Sequence, residues 1–157
     1  MIGIDRKQAP ALRVPYWIDG QGKERSPLNL QELGDGYKVL YCFQYWCPGC
    51  HSRGFPTLVY LHEKLANKGV GFAVIQTVFE GAEQNTQDKV VEMQQRTGLA
   101  IPFGHDPIQE GERYPTIMED FRTGGTPWFI IISPENEVIY NDFRLDGERF
   151  VQALNQR

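Results

Sequence analysis

The chain has 157 residues, a formal net charge of −4 and 41% hydrophobic residues. This length is most simply one domain, and it is enough to bury a core without disulfides between distant segments. The mild negative charge and the lack of a lysine and arginine run argue against nucleic acid as the main partner. The first residues carry charges and a proline where a signal peptide is apolar. We therefore expect a cytoplasmic protein without membrane association, with a trimmed exported parent as the alternative.

The first elements predicted along the chain are a hairpin and a short helix. Apolar residues before an Asp-Gly turn signal predict a small N-terminal hairpin over residues 15–25. Ser26 and Pro27 are typical of an N-cap and a first helical position, so "PLNLQEL" is predicted to be a helix that ends at Gly34. We expect the core of the domain to span residues 26–157.

The middle of the chain alternates strands and helices. "YKVLYCFQY" (37–45) and "VGFAVIQTV" (70–78) have the length and apolar content of strands buried on both faces. Leucines at helical spacing predict a helix from residue 50 to 68, which Pro56 is expected to kink. This order of elements predicts a sheet with a parallel core.

The second half of the chain adds two helices and a hairpin. "TQDKVVEMQQRTG" is predicted to be a helix with Asn85 or Thr86 as its N-cap. Residues 104–125 are polar, which predicts an insertion at the rim with one short helix over 114–121. "PWFIIIS" and "EVIYNDFR" flank a turn and predict an antiparallel hairpin, and Asp146 is expected to cap a final helix.

All three cysteines lie in "CFQYWCPGCH", from Cys42 to His51, and this spacing allows several chemistries. An iron–sulfur loop needs a fourth thiolate, and no cysteine follows Cys50. A zinc site of Cys42, Cys47, Cys50 and His51 has suitable ligands, but a residue inside a strand would have to meet ligands beyond its end. Covalent haem at C-x-x-C-H is normally attached outside the cytoplasm, and the motif follows a buried strand. These three interpretations are therefore disfavoured.

A redox-active dithiol is the interpretation that the context favours. "WCPGC" lies where a strand passes into a helix, and the partial positive charge of the helix N-terminus favours a thiolate at Cys47. Cys50 lies about one turn further and is more shielded, so we predict that Cys47 attacks and Cys50 resolves. The helix dipole contributes about 0.3–1 kcal/mol, less than one pKa unit, so another group must assist. Protonated His51 is a candidate.

"VLYCFQYWCPGCHSRGFPTL", followed some 80 residues later by "GGTPWFIII", resembles the thioredoxin superfamily and, within it, the redoxin or TlpA-like thiol–disulfide oxidoreductases. The resemblance implies a thioredoxin-like three-layer α/β fold, with a central mixed sheet, helices on both faces and the hairpin as an extra element. It also implies a redox-active Cys47–Cys50 disulfide without metal or bound cofactor. Pro127, preceded by Thr126, would be a cis-proline beside the dithiol.

The implied function is a thiol–disulfide oxidoreductase that acts on a protein or small-molecule disulfide and is reset by a redox partner. A peroxiredoxin-like thiol peroxidase is the alternative, weakened because the P-x-x-x-[ST]-x-x-C pattern is absent and position 44 is Gln. Many TlpA-like proteins carry an acidic residue soon after the second cysteine. This chain has His51, Ser52 and Arg53 there, so that role is unfilled locally.

Four further residues are assigned expected roles. Trp46 and Pro48 adjoin the attacking cysteine and are expected to contact substrate. Glu80 follows a strand predicted to run parallel to the strand before Cys47, which places it at the same sheet edge as a candidate proton acceptor for Cys50. Cys42 is expected to be a buried, unreactive thiol.

Overall fold

A computed structural model of the chain describes residues 3–156, and a seven-stranded sheet forms its centre. The strands are β1 Tyr16–Ile18, β2 Glu24–Arg25, β3 Lys38–Phe43, β4 Gly71–Thr77, β5 Phe103–Asp106, β6 Trp128–Ile132 and β7 Val138–Asp142. Their order in the sheet is β2-β1-β5-β4-β3-β6-β7. The pairs β3/β4 and β4/β5 are parallel and the other neighbouring pairs are antiparallel, which confirms the predicted mixed sheet and N-terminal hairpin.

Helical segments connect the strands and cover the sheet. The α-helices are α1 Phe55–Leu65, α2 Asp88–Thr97, α3 Thr116–Phe121 and α4 Gly147–Asn155. Shorter segments are the 3-10 helices Leu30–Leu33 and Ala66–Lys68 and the π-helical turn Cys50–Gly54. Within residues 3–156, no helix has the length and apolarity needed to cross a lipid bilayer.

Strand β3 separates two cores, because successive side chains of a strand point to opposite faces. Tyr41 and Phe43 pack in one core with side chains of α1, α2 and α4. Leu40 and Cys42 pack in the other with α3 and the first 3-10 helix. All four side chains are fully buried. This confirms the three-layer fold with helices on both faces. Because both faces of β3 are covered, consecutive residues of the strand are apolar.

The parallel strands bring their carboxyl ends to one edge of the sheet. Phe43, the last residue of β3, is in register with Gln76 of β4, and Thr77 is in register with Asp106 of β5. The segment that carries the dithiol leaves β3 at this edge. The loop that contains Glu80 leaves β4 at the same edge, as predicted.

Two predicted helix starts are wrong. The first helix begins at Leu30 rather than residue 27, and the Glu32 carboxylate accepts a 3.0 Å hydrogen bond from the Asn29 N–H just before it. The second begins at Asp88 with Gln87 as its N-cap. Asn85 does not cap that helix because its side chain binds the segment that carries the dithiol. The predicted helix ends at Gly34, at residue 68 and at the end of "TQDKVVEMQQRTG" agree with the observed C-caps Gly34, Gly69 and Gly98.

The predicted rim insertion over 104–125 is wrong at its start, because residues 103–106 form β5 between β1 and β4. His105 and Asp106 are buried there instead of lining a loop. The Asp106 carboxylate accepts hydrogen bonds from the Thr116 hydroxyl and the Ile117 N–H, both at 2.8 Å. These tertiary partners allow a polar sequence to form an inner strand. The short helix predicted nearby is observed as α3.

Pro56 lies in the first turn of α1 and does not kink its middle. The first turn of a helix tolerates proline because its N–H groups have no intrahelical acceptor. The irregularity comes earlier, in the π-helical turn, where the Phe55 N–H binds the Cys50 carbonyl. The helical backbone therefore starts at residue 48 and passes through a wide turn before α1.

Candidate active site

The two cysteines of "CPGC" form a disulfide at the start of this helical segment. The Cα atoms of Cys47 and Cys50 are 5.3 Å apart. Cys47 is partly exposed, whereas Cys50 is fully buried. Of the two cysteines, Cys47 is therefore the one that solvent reaches and Cys50 is shielded, as the sequence predicted.

Cys47 occupies the N-cap position, with Pro48 as the first helical residue. Its Sγ accepts a hydrogen bond from the Cys50 backbone N–H, with N and S 3.2 Å apart. A side-chain acceptor at the N-cap commonly binds the N–H of the third helical residue, which is the position of Cys50. The same N–H is placed to bind a thiolate at Cys47, since a backbone N–H close to a sulfur stabilises its charged form.

Cys50 is held from the sheet side by Tyr41. The Tyr41 hydroxyl donates a 2.9 Å hydrogen bond to the Cys50 carbonyl, and burial raises the pKa of this phenol well above its usual value. The ring of Tyr41 packs edge-on against Phe55, with centroids 4.9 Å apart. Gly54 leaves room for the hydroxyl, since a Cβ there would lie 2.0 Å from the Tyr41 oxygen.

The Thr126–Pro127 peptide bond is cis, as predicted. The Pro127 ring faces the dithiol turn, and a Cβ added to Gly49 would lie 3.5 Å from the Cδ atom of Pro127. The following strand residue, Trp128, is fully buried and in register with Cys42 of β3. The pairing of β6 with β3 therefore fixes the proline beside the cysteines.

A groove of about 450 Å³ lies between the dithiol turn and this proline loop. It is lined by Cys47, Pro48, Gly49, Arg53, Thr126, Pro127, Phe143 and Arg144. Four of the residues predicted to form the site, Cys47, Pro48, Thr126 and Pro127, thus meet in one groove. A hollow of about 600 Å³ beside α3 contains none of the predicted site residues.

Trp46 and Glu80 are not among the residues that line this groove. The side chain of Trp46 is 44% exposed. Its indole packs on Gly81, where a Cβ would lie 2.5 Å from the ring. Glu80 is exposed in the same loop. The role of Glu80 as proton acceptor for Cys50 stays a prediction.

Three amide side chains that were not predicted to belong to the site hold the loop between β3 and Cys47. Gln76 accepts a hydrogen bond from the Tyr45 N–H, and Asn85 accepts one from the Trp46 N–H, both at 3.0 Å. Gln44 is buried and accepts from the Phe79 N–H at 3.2 Å. Amides in strands and loops have no local sequence signature, so only the spacing of Gln44 before Cys47 could have drawn attention to them.

His105 extends this amide network. The Gln76 amide donates a 2.9 Å hydrogen bond to the Thr86 carbonyl and lies 3.1 Å from the Nδ1 atom of His105. Because the amide nitrogen is a donor, Nδ1 is the acceptor and the imidazole is neutral. Burial lowers the pKa of His105 to about 4, partly offset by the charge of Asp88.

His51 joins the two ends of the turn. Its Nε2 atom lies 2.5 Å from the Tyr45 carbonyl oxygen, so Nε2 carries the proton of this hydrogen bond. The imidazole also contacts the ring of Tyr45 edge-on, with centroids 5.7 Å apart. His51 therefore ties the segment before Cys47 to the turn after Cys50. Its expected electrostatic help to the thiolate stays a prediction.

Cys42 is a free, fully buried thiol on the opposite face of β3 from the core that contains Cys50. Burial raises the pKa of Cys42 to about 12. This matches the expectation of an unreactive thiol. The sheet separates Cys42 from the dithiol, which argues against the zinc site that would have needed all three sulfurs.

The fold is shared with solved structures of low sequence identity. One is a thioredoxin-like superfamily protein with 24% identity and a TM-score of 0.80, covering 94% of this chain and 93% of that one. A thiol-disulfide isomerase from Corynebacterium glutamicum has 24% identity and a TM-score of 0.77, with coverage of 94% and 95%. The thioredoxin domain of a thiol-disulfide oxidoreductase from Bacteroides vulgatus has 18% identity and a TM-score of 0.66, with coverage of 98% and 96%.

No protein-family model matches this chain, and no curated protein matches it. The solved structures match along nearly the whole length of both chains. The chain therefore has the thioredoxin-like fold.

Proposed function

We propose that this protein is a thiol–disulfide oxidoreductase that works through Cys47 and Cys50. The observation that carries the proposal is the unequal exposure of the two disulfide-bonded cysteines beside an open groove. Attack on a substrate requires one accessible thiolate, and release requires a second thiol within reach of the first. The geometry of the Cys47–Cys50 turn supports both requirements. The names of the similar structures from C. glutamicum and B. vulgatus point to the same chemistry.

In the reducing direction, the Cys47 thiolate attacks one sulfur of a substrate disulfide. A Cys47–substrate disulfide forms and the other substrate sulfur leaves as a thiolate, which takes up a proton. Cys50 then loses its proton and attacks Cys47, so the Cys47–Cys50 disulfide forms and the substrate leaves fully reduced. Two electrons have passed to the substrate. A partner that supplies two electrons must then reduce the protein, and the oxidising direction is the reverse of these steps.

We propose that the dithiol itself is the redox group and that no metal or other cofactor is required. The substrate is a protein or small-molecule disulfide or thiol, and Trp46, Pro48, Thr126 and Pro127 are its expected contacts. The peroxidase alternative is not favoured. Its sequence pattern is absent, and Gln44 is engaged in binding backbone N–H groups of the neighbouring loop.

Turnover of an oxidised protein substrate tests this function. Wild-type protein with dithiothreitol as recycling reductant should reduce insulin disulfides faster than dithiothreitol alone. Cys47→Ala should lose this acceleration, and Cys42→Ala should keep it as the matched cysteine control. Consumption of hydrogen peroxide at a rate equal to or above that of disulfide reduction would instead support the peroxidase. No acceleration of either reaction would contradict an enzymatic role for the dithiol.

A further inference from the structure

Two arginines line the groove with Cys47, and the chemistry proposed above does not use them. Arg53 lies in the π-helical turn after Cys50, and Arg144 follows β7. Both side chains are exposed. Within residues 3–156 neither guanidinium forms an ion pair, whereas Arg13, Arg25 and Arg96 each bind a carboxylate. The two free cations therefore stand beside the attacking sulfur.

Among residues 3–156, one acidic residue lines the groove and its adjoining hollow, against the two arginines. Asp146 lines the hollow that adjoins the groove, and its carboxylate accepts the Arg149 N–H at the start of α4. The carboxylate of Asp142 accepts the N–H of Phe143 at 2.7 Å. Although the chain has a net charge of −4, the wall of this groove carries an excess of positive charge. A negatively charged ligand would be attracted to it.

Phe143 adds an apolar ring to the wall of the groove. Its side chain is 44% exposed, yet the ring packs edge-on against Trp128 with centroids 4.6 Å apart. The ring also rests on Gly125, where a Cβ would lie 3.0 Å from it. An exposed aromatic ring held in this way is suited to contact a ligand without losing further side-chain freedom.

The groove is elongated. The adjoining hollow of about 280 Å³ shares Arg53, Pro127, Phe143 and Arg144 with it and continues to Thr57 and Leu145. The two together form a continuous surface that leads away from Cys47 along the start of α1. Such a shape suits several residues of a chain rather than one small group.

We propose that this groove selects disulfide-bonded peptide segments with an acidic side chain close to the cysteine that Cys47 attacks. Arg53 and Arg144 bind the carboxylate, and Phe143 contacts the neighbouring side chain. The proposal rests on the proposed function, because it names the class of disulfide on which that chemistry acts. Arg53 and Arg144 are specificity-determining residues, while Cys47 and Cys50 carry out the reaction.

Two peptides that differ only in charge test the proposal. Each contains the same disulfide, flanked by Glu in one peptide and by Gln in the other. The second-order rate constant of the reduced protein with each peptide is measured by acid quenching and mass spectrometry at low salt. The wild type should react about fivefold faster with the Glu peptide, because exposed ion pairs contribute only modestly and act mainly on association. Added salt should reduce this ratio.

The variants assign the preference to the two arginines. In the double variant Arg53→Gln/Arg144→Gln the ratio of the two rate constants should fall to about one. Lys23→Gln removes the same type of charge from the exposed hairpin at the opposite end of the sheet, so it should keep the wild-type ratio. The ratio cancels any effect of the arginines on the reactivity of Cys47, since both peptides react with the same sulfur.

Equal rate constants for the two peptides in the wild type would overturn the inference and leave the proposed function intact. A Glu preference that survives in the double arginine variant would also overturn it. Reaction with neither peptide, together with no acceleration in the insulin assay, would overturn the proposed function itself. The two failures are therefore distinguishable.

Discussion

The hydroxyl of Tyr41 donates a 2.9 Å hydrogen bond to the carbonyl of Cys50, which links the middle of β3 to the buried half of the disulfide. Tyr41→Phe removes the donor but keeps the ring. The Cys50 carbonyl retains its bond from the Phe55 N–H, so the loss of stability should be about 1 kcal/mol. Urea unfolding of the oxidised protein measures it. Tyr114→Phe, at an exposed tyrosine, should change stability by less than about 0.5 kcal/mol. Equal effects of the two changes would contradict the structural role of this bond.

Gly54→Ala should be more damaging than loss of the Tyr41 hydroxyl. The added Cβ would lie 2.0 Å from the Tyr41 oxygen and 2.7 Å from Cζ, so the phenol and the π-helical turn must move apart. We expect a loss of about 3 kcal/mol in the free energy of unfolding. In the Tyr41→Phe background the loss should be smaller, because the clash with the hydroxyl oxygen is gone. It should not vanish, because the clash with Cζ remains. Ser52→Ala, in the same turn but exposed, is the matched control. Wild-type stability of Gly54→Ala would contradict the close packing of Gly54 against the Tyr41 phenol.

Asn85→Ala should disturb the active-site loop without touching the cysteines. Its amide binds the Trp46 N–H on one side and the carbonyls of Glu80 and Gly81 on the other. The Gly81 carbonyl keeps its bonds from the backbone N–H groups of Gln84 and Asn85, but the Trp46 N–H and the Glu80 carbonyl lose the amide as a partner, which should cost about 2 kcal/mol of stability. It should also change the tryptophan fluorescence and reduce the turnover of insulin. Asn67→Ala, on an exposed 3-10 helix, should change none of the three quantities. Unchanged fluorescence and turnover in Asn85→Ala would show that the amide does not position Trp46.

The stability of the protein should depend on pH through His105. Burial lowers the pKa of His105 from its ordinary 6.5 to about 4 in the folded protein. As the pH falls through 6.5 the unfolded chain binds a proton first, so the free energy of unfolding decreases between about pH 6.5 and pH 4. The decrease from this group is at most about 3 kcal/mol. Urea unfolding of wild type and His105→Gln across this range measures it, and the difference between the two curves isolates His105 from the titrating carboxylates. Parallel curves would contradict a neutral, buried His105.

The fold and the dithiol were predictable because their signals are local. β3 is a continuous apolar run, "WCPGC" follows it directly, and Thr126-Pro127 precedes the apolar β6. The strand β5 was missed because its buried polar residues are satisfied by partners from other elements. The Asp106 carboxylate, for example, depends on Thr116 in α3. Local sequence carries no sign of such a partner.

The site was predictable only in part, because local sequence does not show which residues of separate elements meet in the fold. The turn after β3 identifies Cys47 and Cys50, but Arg53 and Arg144 lie in separate elements and meet only in the folded chain. Gln76 and Asn85 likewise come from separate segments and accept hydrogen bonds from the loop before Cys47. The start of the helix after β4 was wrong because an N-cap signal competes with tertiary bonds. In this chain the amide of Asn85 binds Trp46 instead of the helix.

Capture of a mixed disulfide tests the central claim most directly. Cys50→Ser keeps the partly exposed Cys47 but removes the buried thiol that releases the substrate. Incubation of the reduced variant with an oxidised protein substrate should therefore accumulate a covalent adduct. Mass spectrometry should map the bond to Cys47, and dithiothreitol should release it. Cys47→Ser should form no adduct, and Cys42→Ser should turn over as the wild type does. An adduct through Cys50 in Cys47→Ser, or no adduct in Cys50→Ser, would contradict the assignment of Cys47 as the attacking sulfur.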